Sequence, residues 1–92
     1  MNFTVTTTDD KTYEAKAVMA DLIRYDVLRN RLNFPPREGN EFLFMGLVTF
    51  CALLRTGQIP AESKPEEFLN TIANLEPADE EDEAEFPATT GN

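Results

Sequence analysis

Alternation governs the start of the chain. Phe3, Val5 and Thr7 take turns with Thr4, Thr6 and Thr8, and after Asp9-Asp10-Lys11 the pattern resumes with Tyr13, Ala15 and Ala17 on one side. A period of two in β-branched residues around a short polar break predicts a β-hairpin, Phe3–Thr8 paired with Thr12–Ala17. Two strands alone are marginal in water, so the apolar side of the hairpin is expected to rest on helices. At Met19 the period lengthens. Leu22, Tyr25, Leu28 and Leu32 recur every three or four positions, Ile23 and Val27 widen that stripe, and Arg24, Asp26, Arg29 and Arg31 take the other face. This predicts an amphipathic helix over 19–32, with Asp21 near its positive end and a stop around Asn33, because Pro35-Pro36 cannot continue it.

The stretch Glu41 to Thr56 is apolar on nearly every side: Phe42, Leu43, Phe44, Met45, Leu47, Val48, Phe50, Cys51, Leu53 and Leu54. A helix hydrophobic all round is a buried one. Arg55 in its last turn and Gly57 after it are C-terminal signals. Ser63-Lys64-Pro65-Glu66 has capping-box spacing, and Phe68, Leu69, Ile72 and Leu75 follow at helical intervals, which predicts a third helix over 64–75 closed by Pro77. The expected fold is α+β: an N-terminal hairpin packed on a small bundle of about three helices. No internal repeat is visible.

Charge divides the chain. Formal net charge is −9, yet acids and bases balance through residue 64, and every charged residue from 65 to 92 is acidic. Residues 1–75 are accordingly expected to fold, and 76–92 to form a disordered acidic tail, since the run Asp79 to Glu85 repels itself and has little to bury. A core this small supplies roughly 3–5 kcal/mol, so oligomerisation or a partner is expected.

Composition removes most chemistry. Histidine is absent and Cys51 is the sole cysteine, so no Ser-His-Asp or Cys-His pair, disulfide or Cys/His metal centre can form. Cys51 reads as an inert buried thiol. The acid run lacks the spacing that wraps oxygen ligands round calcium, and Glu62, Glu66 and Glu67 read as surface and capping residues. No glycine-rich phosphate loop occurs. The expectation is a non-enzyme without cofactor or metal. The first residues show no secretory signal, and Phe42 to Leu54 is too short for the ~20 residues of a membrane helix, so a cytoplasmic protein is expected. Negative charge disfavours nucleic acid as a partner.

Phenylalanine is in surplus for so small a core. Phe34, Phe42, Phe44 and Phe50 either all fill it or leave one side of the second helix, or the Phe34-Pro35-Pro36 corner, open to a partner. These four are the candidate partner-binding residues.

A family resemblance adds to this. The alternating hairpin is followed by Ala20-Asp21-Leu22-Ile23-Arg24-Tyr25-Asp26, by an aromatic helix ending in Leu53-Leu54-Arg55-Thr56-Gly57-Gln58-Ile59-Pro60, and by Glu66-Glu67-Phe68 with an acidic end. Over essentially its whole length the chain resembles the small tail assembly chaperones of long-tailed bacteriophages. The resemblance implies a phage or prophage protein of the host cytoplasm that holds the helical tape measure protein soluble until tail tube subunits polymerise round it. It also implies absence from the finished particle, and in that family a longer frameshifted product is common. The competing class is an acidic inhibitor or DNA mimic that blocks a nucleic-acid-binding partner. Its acids would have to spread over a folded face, whereas here they bunch in one run.

Overall fold

The computed structural model describes residues 1–78. Its elements are β1 (Asn2–Thr7), β2 (Thr12–Lys16), α1 (Met19–Leu32), α2 (Glu41–Arg55), α3 (Pro65–Asn70) and β3 (Ile72–Pro77). The fold is α+β, three helices with a three-stranded antiparallel sheet in the order β2-β1-β3.

The hairpin forms as its alternation requires. Phe3 pairs with Ala15, Val5 with Tyr13 and Thr6 with Thr12, so Phe3, Val5, Thr7 and Ala15 point inward and are buried. Asp10 takes the left-handed turn position at φ 67°, and Asp10 N–H donates to the Thr7 carbonyl at 2.9 Å. The other face carries Thr4, Thr6, Glu14 and Lys16 toward solvent.

The third helix is a correction. Six residues, Pro65–Asn70, are helical, and the chain then crosses back as β3 instead of continuing helically to Leu75. β3 pairs with β1 through Val5 with Leu75, Thr6 with Asn74 and Thr7 with Ile72, with a register shift at Thr6/Thr7. The extra residue there makes Ile72 and Leu75 both face the core at a spacing of three, which imitates a helical interval in the sequence. Lys64, not Ser63, is the N-cap, and no side chain caps it. Glu76 and Pro77 thus belong to the sheet, beyond the expected boundary at 75. The acidic run 79–85 lies outside the described residues.

α2 is the centre of the molecule. Every residue from Gly46 to Leu53 is buried, and α2 packs on the sheet, on α1 and on α3. Gly46 marks the approach to α3: a Cβ there would stand 2.8 Å from Leu69 Cδ2. Phe50 meets the Phe68 ring at 5.7 Å between centroids, and Tyr25 of α1 meets Phe44 edge-on at 5.0 Å. Asn33, at φ 60°, ends α1 in the left-handed conformation, and its N–H reaches the last carbonyls of that helix.

Candidate partner-binding surface

The aromatic surplus separates once the helices are placed. Phe44 and Phe50 are core residues, 4% and 2% exposed, and Phe34 is half-buried against the core. Phe42 alone of the four stands out, 80% exposed in the first turn of α2. It lies one turn before Gly46, on the side that faces α3 and β3.

The larger open apolar surface is on α1. Tyr25 and Leu28 turn into the core with Asp21, but Ile23 and Val27 do not widen that stripe. Met19, Ile23 and Val27 are 66%, 58% and 49% exposed. The reason is angular. Two positions along a helix are about 200° apart round its axis, so Ile23 cannot share the side of Tyr25. Met19, Ile23 and Val27 stand four apart and form a second apolar stripe directly opposite the first, with exposed Val18 at its start. The signal was present in that spacing, hidden by the adjacent Leu22 and Leu28.

A charge clamp fixes which side of α1 faces out. The Asp21 carboxylate, 2% exposed, accepts from Arg55 Nε at 3.0 and 3.2 Å and from Arg55 Nη2 at 3.0 Å. It also accepts the Val18 N–H at 2.9 Å, closing the first turn of α1. Arg55 Nη2 donates further to the Lys16 carbonyl at 2.9 Å. One guanidinium therefore ties the start of α1, the end of α2 and the last residue of β2 together. Pairing with Asp21 holds Arg55 yet more firmly protonated than an ordinary arginine. Sequence showed both residues as helix-end charges, but not that they meet across 34 positions.

Beside the clamp lies a cleft of about 280 Å³ lined by Ala20, Asp21, Arg24, Cys51, Leu54 and Arg55. Burial, and then the Asp21 charge, push the Cys51 thiol up to about 12, so it is protonated and unreactive at neutral pH. Among the described residues no three Cys, Asp or Glu side chains gather as metal ligands, and no helix is long and apolar enough to cross a membrane. What the arrangement leaves exposed is an apolar strip on the outer side of α1. Comparison with protein-family models, with curated proteins and with solved structures finds no match to this chain.

Proposed function

We propose that this protein is a non-enzymatic tail assembly chaperone of a long-tailed phage or prophage, working in the host cytoplasm, whose client is the tape measure protein. The observation that carries the reading is the outward stripe Met19-Ile23-Val27. A helix offering apolar side chains at every fourth position accepts the matching stripe of an amphipathic client helix, ridge into groove. The binding residues are then Met19, Ile23 and Val27, with Phe42 as a separate contact on the α3 side. Phe44 and Phe50 serve the core, and Phe34 braces it. Sequestering such a stripe keeps a long helical client from self-association, which is the holdase role the family resemblance implies.

Co-expression with a tape measure protein tests this. The client is expected to stay soluble with the native chain and to precipitate with Ile23→Glu/Val27→Glu. A client equally soluble without the protein, or with the double variant, overturns the reading.

A further inference from the structure

The same outer face of α1 carries charge of one sign along one flank. Arg24 follows Ile23 directly and Arg31 lies one turn beyond Val27, both on the exposed side. They stand seven positions apart, about 10 Å along the axis. Neither forms an ion pair or hydrogen bond among the described residues, whereas Arg29 donates to the Phe34 carbonyl, Arg37 pairs with Glu41, and Arg55 holds Asp21. An apolar strip edged by two unpaired guanidiniums fits a segment that is acidic and carries an apolar anchor.

The chain itself supplies one. Residues 79–86 read Asp-Glu-Glu-Asp-Glu-Ala-Glu-Phe. Their point of departure is suitable. The Ala78 N–H donates to the Asn2 carbonyl at 2.8 Å, and on the other side of β1 the Ala17 N–H donates to the Met1 carbonyl at 2.9 Å. The chain leaving β3 and the chain entering α1 therefore sit at the same end of the sheet, two strand spacings or about 10 Å apart. Arg31 stands 12 positions beyond Met19, the first residue of α1, about 18 Å along the axis. With the ~10 Å between the strands the path is about 28 Å, which eight or nine extended residues cover at ~3.3 Å each.

We propose that residues 79–86 dock along the outer face of α1, their carboxylates on Arg24 and Arg31 and Phe86 on the Met19-Ile23-Val27 stripe, so that the chain shields its own apolar surface. Asp26, on the opposite flank of the stripe, sets the side on which the acids lie by repulsion. The segment is an internal competitor for whatever else binds this face, displaced by a partner with more apolar area. The proposal depends on the face and its charges and not on the identity of any client.

The test compares amide NMR spectra of the full chain and of a chain ending at Ala78. At low salt the two are expected to differ at residues 19–31 beyond the truncation site, and a synthetic peptide of residues 79–92 added to the truncated chain is expected to restore the full-chain shifts. Raising salt from 20 to 300 mM should weaken the peptide about ten-fold or more, because the contact is between exposed charges. Arg24→Glu/Arg31→Glu, and separately a peptide with its Asp and Glu changed to Asn and Gln, should each abolish the effect. Identical α1 shifts in the two chains overturn the proposal. So do α1 shifts that follow protein concentration equally in both, which would mark a second copy as the occupant. No client enters the experiment, so its failure leaves the chaperone reading standing, and a failed co-expression leaves this one standing.

Discussion

At the scale of single residues, Arg55 joins three elements through one side chain. Its planar fork meets two oxygens of a carboxylate that is 2% exposed and a backbone carbonyl at once. A lysine offers a point charge and cannot make that set of bonds. Arg55→Met leaves the Asp21 carboxylate buried with only a backbone N–H and should cost about 2–4 kcal/mol, the lower end reflecting partial exposure of the arginine. Arg55→Lys should cost about half as much; urea unfolding measures both. Thr49 poses the reverse case. Its hydroxyl is fully buried without a hydrogen-bond partner, so Thr49→Val should stabilise by about 1 kcal/mol in the same assay. Cys51 gives a pH dependence with a definite sign. Its thiol stays protonated in the fold to about 12 against a reference of 9.0, so across that interval the unfolded chain releases a proton that the folded chain keeps. Stability from this group is therefore complete below pH 9 and declines as pH rises toward 12. Unfolding midpoints at pH 8 and 10.5 should show a smaller drop in Cys51→Ala than in the native chain, and the native thiol should resist iodoacetamide at pH 8 until urea exposes it.

At the scale of elements, legibility followed the kind of signal each segment carried. α1 and the strands of the hairpin were readable because a clean periodicity ran between strong stops, Asn33 before Pro35-Pro36 and the Asp9-Asp10 turn. β3 was not. Ile72, Ala73, Asn74, Leu75, Glu76 and Pro77 contain little that favours a strand, and the bulge gave the two inward residues a helical interval. Only the position of β1, waiting with an open side, makes an extended conformation the better one there. Such a preference is tertiary and leaves no mark in the local pattern. β3 runs two residues past the expected boundary at 75, because Glu76 sits on the solvated face of the sheet, where a carboxylate is no obstacle to pairing with Thr4. A chain ending at Ala78 keeps the whole sheet and should accordingly retain a cooperative urea transition. At low salt, where the docked segment adds to stability, it should be weaker than the full chain by no more than about 1 kcal/mol, and at high salt equal to it within about 0.5 kcal/mol. One ending at Thr71 loses the pairing that covers β1 and should show no cooperative transition by circular dichroism.

At the scale of the whole molecule, a hydrophobic residue on α1 belongs to one of two populations, and sequence alone merged them. Leu28 is buried in the core, whereas Ile23 and Val27 lie outside it with about half or more of their surface exposed. Leu28→Ala should cost about 2–5 kcal/mol. Ile23→Glu and Val27→Glu should change stability by no more than about 0.5 kcal/mol each, while lowering the binding of a hydrophobic dye. A thermal melt read alongside dye fluorescence separates the two classes. Equal destabilisation by all three would mean that α1 has one working face and not two.

The two edges of the sheet differ in a way that bears on growth. On β2 the outward carbonyls of Glu14 and Lys16 are taken by Gln58 Nε2 at 3.1 Å and Arg55 Nη2 at 2.9 Å, while β3 has no strand beyond it among the described residues. A sheet with both edges open can add copies without limit, as fibres do. With one edge stoppered by side chains from α2 and the residues just after it, strand addition has a single place to start, and a second copy joining there through its own β3 ends the series at two. The guanidinium that ties the start of α1 to the end of α2 thus also occupies one of the two edges by which such a sheet grows.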